Sequence, residues 1–236
     1  MSYQWNWQVF LQDTGADQTY LDWMLSAWGW TLTVAVFAWI VAFFAGALVG
    51  TLRTVPRPVV RGLATAWVEL FRNIPLLVQI FLWYHVIPAL VPAMKQLPSV
   101  VLVIFALGFF TSARVAEQVR AGIQSLPRGQ MMAAQAMGLT LPQSYRFVVL
   151  PMAFRLVLPP LTSEAMNIIK NSSVAFAVSV SELTLFALQA QEETSRGIEV
   201  YLAVTTLYMV SAFVVNRIMG FIESRVRVPG YVGGGK

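Results

Sequence analysis

The sequence has no cysteine and one histidine, His85, and only 11% of its 236 residues are charged. The missing thiols exclude disulfides, thiolate metal sites and cysteine nucleophiles, and one histidine without thiols cannot build the usual zinc ligand sets. Carboxylates could still hold calcium or magnesium, yet no spacing among them suggests it, so no metal site is expected. No nucleophile and base or pair of carboxylates stands at a spacing that suits catalysis, and no enzyme activity of its own is expected. The scarcity of charge excludes more. A soluble domain carries about 25% charged residues, whereas this chain is 57% hydrophobic. Water is not its main solvent, and its length leaves no room for a large soluble enzyme domain as well.

Long uncharged runs take the place of a charged surface. An apolar stretch of about 18 residues or more marks a membrane-spanning helix. Spans are expected at about 28–52, 73–94, 96–118, 156–181 and 200–222, which gives an all-α membrane protein with about five transmembrane helices. Residues 1–27 form an outer or interfacial segment, 28–223 the transmembrane domain with a structured loop at 119–154, and 224–236 a tail. Asp13, Asp17 and Asp22 precede the first span without any lysine or arginine. A cleavable signal peptide opens on a basic region and has a shorter apolar core, so the first span is read as a retained anchor.

The net charge of +5 could suggest nucleic acid, but its distribution follows the rule that cytoplasmic loops hold the lysines and arginines. One side receives Arg53, Arg57, Arg61, Arg120, Arg128, Arg146, Arg155, Arg217, Arg225, Arg227 and Lys236. The other receives only Lys95 and Arg196, beside most of the acids. The N-terminus is therefore expected outside and the C-terminus in the cytoplasm, with the lipid bilayer rather than nucleic acid as partner. Trp5, Trp7, Trp23, Trp28 and Trp30 gather at the outer end of the first span, where indoles favour the headgroup layer.

The loop at 119–154 is no polar linker. Pro127 and Gly129 punctuate its start, Gln130 to Met137 favours a short helix, and Gly138 is placed to stop it. Thr140 and Gln143 fit a capping box, which predicts a second short helix running to Pro151. Ala133, Ala134 and Met137 share a face by their spacing. Two readings stand: a docking knob for another protein, or a helical hairpin lying in the headgroups.

Charge inside a span costs about 2.5 to 3.5 kcal/mol on insertion scales and usually faces a cavity or a partner. In the fourth span Glu164, Asn167 and Asn171 line one face, and Lys170 stands about 120° around the helix from Glu164. That face lines a pore or makes interhelical hydrogen bonds at a subunit contact. Arg114, near the cytoplasmic end of the third span, either lies on the pathway, snorkels to the headgroups or pairs with Glu117 one turn on.

The loop resembles the EAA loop of permeases in ATP-driven importers, matching it at Ala133, Ala134, Gly138, Val149, Leu150 and Pro151 and departing at Met132, where the motif has glutamate. ELFRNIPLLVQ from Glu69, AEQVRAGIQSLPRGQ from Ala116 and RLVLPPLTSEAMNIIKNSSV from Arg155 resemble the polar amino-acid branch, and TSEAMNIIKNSSV with the closing VRVPGYVGGGK looks most like its glutamate/aspartate system. The resemblance implies a type I ABC importer permease in the bacterial inner membrane, with a cytoplasmic ATPase dimer, a sister or identical permease subunit and a periplasmic amino-acid-binding protein as partners. It makes Ala133, Ala134, Met137, Gly138 and Pro151 the ATPase-coupling loop. It also offers Arg114 and Lys170 as cations for the extra carboxylate of an acidic amino acid, which arginine can grip in a two-bonded fork. ATP is then used by the partner subunit, with no cofactor bound here. Gly230, Gly235 and Lys236 do spell the pattern of a phosphate-binding loop, but neither the required serine or threonine nor the helix follows. The rival readings are a permease for another polar amino acid and an ion-coupled secondary transporter.

Overall fold

The computed structural model describes residues 3–226, so the glycine pattern ending at Lys236 and the tail beyond Val226 lie outside the described residues. The helices are α1 (Tyr20–Leu52), α2 (Pro58–Asn73), α3 (Leu76–Leu90), α4 (Ser99–Gln124), α5 (Arg128–Ala136), α6 (Leu141–Val178), α7 (Leu183–Thr194) and α8 (Gly197–Val226). Among the described residues α1, α4, α6 and α8 are each long and apolar enough to cross a bilayer, and α2 with α3 makes a broken fifth candidate.

Several boundaries differ from the expected spans, each for a local reason. α1 begins well ahead of residue 28 because Thr19 and Asp22 cap it reciprocally: Thr19 N–H donates to Asp22 Oδ2 (3.1 Å) and Asp22 N–H to Thr19 Oγ1 (3.2 Å). The second span, expected from about residue 73 with a kink or late start implied by Pro75 and Pro88, does start late, at Leu76. Proline disfavours helical geometry in the residue before it, and Ile74 is extended at φ −97° and ψ 129°. Between the second and third spans lies a 3-10 segment, Pro92–Gln96, and α4 then runs past residue 118 to Gln124. The second loop helix does not stop at Pro151. It continues through a π-helical stretch, Tyr145–Val149, into the fourth span, so that Leu141–Val178 is one helix. A proline ring clashes with the carbonyl four residues earlier in a regular α-helix. The wider turn, closed by Leu150 N–H on Tyr145 O, admits Pro151, and a second π stretch, Leu82–Val86, precedes Pro88 in the same way. α7 was not anticipated, because its apolar residues belong to no long uncharged run.

Contacts divide the chain into two units. The first comprises residues up to Trp39, Pro75–Leu107 and Asn167–Val214. Its core joins Val9, Phe10, Tyr20, Met24 and Ala27 to Leu183, Phe186, Ala187, Ala190, Val200 and Val204. Glu182, fully buried, caps α7 by accepting from Thr184 N–H (2.8 Å) and Leu185 N–H (3.1 Å), and Tyr208 OH donates to it at 2.8 Å. Burial pushes the Glu182 carboxyl above its ordinary range, with these hydrogen bonds opposing it.

The second unit comprises Ile40–Ile74, Gly108–Met166 and the residues from Val215 on. Here α1 and α4 approach closely: a Cβ added to Gly50 would lie 2.6 Å from the Ala116 carbonyl oxygen. Small residues let membrane helices come this near. Val68, Ala113 and Ala116 pack beside this contact, and Trp67 Nε1–H donates to Ser112 Oγ at 3.1 Å.

Candidate functional site

Two constellations lie in the second unit, and the first is the loop. α5 ends at Ala136, and Gly138 adopts φ +86°, a left-handed backbone that a side chain would strain. Met137 N–H bonds Ala133 O (3.0 Å), Gly138 N–H bonds Gln135 O (2.9 Å) and Leu139 N–H bonds Ala134 O (3.2 Å), which satisfies the carbonyls the helix end leaves open. Thr140 N–H then donates to Gln143 Oε1 at 2.8 Å and starts α6. The inner side of this turn is apolar, with Leu126, Tyr145, Val149 and Ala153 buried together and Met131 and Leu141 packed against them. Tyr145 OH is 3.0 Å from Thr54 Oγ1, which ties the loop to the segment after α1.

The residues expected to form one docking face divide. Ala134 is only 2% exposed and belongs to the chain's own packing, whereas Ala133 is exposed and Met137 is 76% exposed. Met132, standing where the motif has glutamate, is 66% exposed. Pro151 lies beside the π stretch within α6, rather than at a helix end. The outward side of α5 and its end therefore presents Met132, Ala133, Ala136 and Met137 together with the polar Arg128 and Gln135. Methionine adapts its shape to a partner, a property suited to docking.

The second constellation is ionic. Glu117 accepts from Arg53 Nη1 at 2.7 Å and from Arg72 Nη1 at 3.5 Å, so it does not pair with Arg114. Arg114 Nη1 instead stands 3.7 Å from Glu164 Oε2, a buried oxygen with no hydrogen bond. The Arg114 side chain is 44% exposed and lies over the Phe110 ring at 5.2 Å, while Glu164 is 11% exposed. A guanidinium held at one end by a loose ion pair and open at the other retains donors for an incoming carboxylate. On the same helix as Arg72, Glu69 is held by Asn73, whose Nδ2 donates to its carbonyl and to its carboxylate, both at 2.8 Å. Arg53 and Glu117 are the residues that spacing along the chain missed. The sequence signal was an arginine directly after a long uncharged run, whose charge needs an acid wherever the fold buries it.

Asn167, Lys170 and Asn171 belong to the first unit. Lys170 is exposed and makes no ion pair among the described residues, and the two asparagines are half-buried. Pro159 and Pro160 lie inside α6 without ending it. They supply no N–H to the carbonyls of Arg155 and Leu156 four residues earlier.

Comparison with known proteins agrees with this architecture. Residues 42–228 match the family described as binding-protein-dependent transport system inner membrane component. The chain is 45% identical to the glutamate/aspartate import permease protein GltJ of Escherichia coli (strain K12), over 99% of this chain and 100% of that protein. It is 36% identical to the probable glutamine ABC transporter permease protein GlnM of Bacillus subtilis (strain 168), over 83% of this chain and 89% of that protein. Among solved structures, a chain from an amino acid ABC transporter crystallised with histidines is 28% identical and superposes with a TM-score of 0.75, covering 87% of this chain and 95% of that one.

Proposed function

This chain belongs to the family of binding-protein-dependent transport system inner membrane components and is a multi-pass permease subunit of an amino-acid ABC importer, and from that premise we propose that it carries glutamate and aspartate inward across the bacterial inner membrane. The full-length likeness to a glutamate/aspartate import permease carries the substrate class. The half-exposed Arg114 guanidinium supports it chemically, since it offers a cation to the side-chain carboxylate that distinguishes acidic amino acids. Lys170, on α6 with Asn167 and Asn171, is the second cation of the pathway.

In this reading the N-terminus lies outside and the loop and C-terminus in the cytoplasm. Met132, Ala133, Met137 and the Gly138 turn meet a cytoplasmic ATPase dimer, which binds and hydrolyses the ATP. A second permease subunit, identical or sister, completes the pathway, and a periplasmic binding protein delivers the amino acid. Closure of the ATPases moves the loops, and the bundle exchanges outward for inward access.

The test is uptake by the pump reconstituted in vesicles with its ATPase and a glutamate-loaded binding protein. Uptake is expected to need hydrolysable ATP, and Arg114→Ala is expected to lower it about tenfold or more, the loss of a charge-assisted bond of 1.5–3 kcal/mol. Uptake that persists on an ion gradient with a nonhydrolysable ATP analogue would overturn the importer reading. Full uptake by Arg114→Ala would remove that residue from the pathway.

A further inference from the structure

The aromatic segment ahead of α1 is not needed for any step above, yet the first unit holds it firmly. Val9 and Phe10 are buried in the core with α7 and α8. Asn6 N–H donates to Glu199 Oε1 (2.8 Å), Tyr3 OH donates to the same carboxylate, and Arg196 Nη1 donates to the Gln4 carbonyl at 2.9 Å. Tyr20 N–H bonds Gln12 O at 3.1 Å, which fixes the end of the segment to the first turn of α1.

What the segment shows outward is apolar. Trp5, Trp7 and Leu11 are exposed, Leu11 to 68%, and the Trp5 and Trp7 rings lie parallel, 3° apart in plane with centroids 6.0 Å apart. From Tyr3 to Gln12 there is no charged residue. Leu25 and Trp30 extend the exposed apolar surface along the start of α1. α1 has 33 residues, which at 1.5 Å per residue reach roughly 50 Å, well beyond the ~30 Å hydrocarbon core. Its far end meets Arg53 and Arg57. The surplus length therefore puts its first turns, and the segment pinned to them, in the headgroup layer.

We propose that Trp5, Trp7 and Leu11 form a lipid-contact plate that sits in the headgroup and upper acyl layer and anchors the start of α1 there. A binding protein that docks and leaves would expose these side chains to water for much of each cycle, a cost that permanent contact with lipid avoids. An uncharged segment bearing indoles suits that layer on either side of the membrane.

The experiment uses the assembled pump in vesicles of phosphatidylethanolamine and phosphatidylglycerol, with and without bromine on the upper acyl carbons. The emission lost on Trp5→Phe plus Trp7→Phe, read as wild type minus variant, is expected to fall by roughly half or more in the brominated vesicles. It is also expected to be shielded from aqueous acrylamide, with or without the binding protein. Leu11→Trp, at the most exposed apolar site, adds an indole without removing an anchor, and its added emission should be quenched by the same lipid. Difference emission indifferent to brominated lipid, whether quenched by acrylamide or shielded from it by a protein partner, would overturn the proposal.

Discussion

Arg53 is 5% exposed along its side chain, and its charge is tolerable there because Glu117 accepts from it at 2.7 Å. Removing one partner of such a pair costs about 3–5 kcal/mol when both are buried; Glu117 keeps 32% exposure, so Glu117→Gln is expected to cost about 3 kcal/mol or less. A lower melting temperature of the purified pump in detergent checks this, and an unchanged one would show that water already screens the pair. Gly138 makes a different demand, of backbone rather than charge. At φ +86°, Gly138→Val should cost about 1–2 kcal/mol locally. Helix content should remain while ATP hydrolysis proceeds with reduced uptake, measured as amino acid carried per ATP. These two residues also mark how far the sequence is readable. The role of Gly138 follows from a helix-forming run that ends at a glycine, a local pattern. That Glu117 bonds Arg53 and Arg72, leaving Arg114 to Glu164, depends on which helices pack together, and spacing within a helix is silent about that.

Among the helices, apolar length made the long spans legible, and local chemistry decided where they stop. Thr19 and Asp22 are a start signal standing inside a segment assigned to the exterior, and Ile74 before Pro75 is a stop inside an expected span. The π stretches were not legible, since a proline reads as a break unless the preceding turn widens to admit it. α7 follows from no hydrophobic run; it exists because Glu182 caps it and Phe186 and Ala190 are buried against the N-terminal segment. The crossing of α1 and α4 can be tested directly. Gly50→Val would drive atoms into the Ala116 carbonyl, and overpacking of that kind costs about 1–3 kcal/mol. The expected result is less permease in the membrane and less co-purified ATPase, with Gly62→Val, at an exposed helical site with nothing within 4 Å, as the tolerated control.

For the molecule as a whole, the absence of cysteine becomes an experimental asset. Thr14→Cys and Arg57→Cys, the latter at an exposed site assigned to the cytoplasmic side, each introduce a lone thiol into this chain. With the N-terminus outside, a membrane-impermeant maleimide added to spheroplasts should label the first and reach the second only after lysis; the reverse pattern would invert the topology. The union of loop and span has a mechanical meaning of its own. Leu141 to Glu164 is helical throughout, a rod of roughly 35 Å at 1.5 Å per residue. With the Gly138 turn ahead of it and no non-helical break before Glu164, a displacement delivered at the turn passes into the helix, which can bend only at the π stretch and at Pro159–Pro160. It appears as tilt, translation or bending of that helix, so the handle and the shaft of this crank are the same piece. Glu164, 3.7 Å from Arg114, stands at the far end of that stretch, so in the proposed pathway its ion pair is a contact such a movement would change.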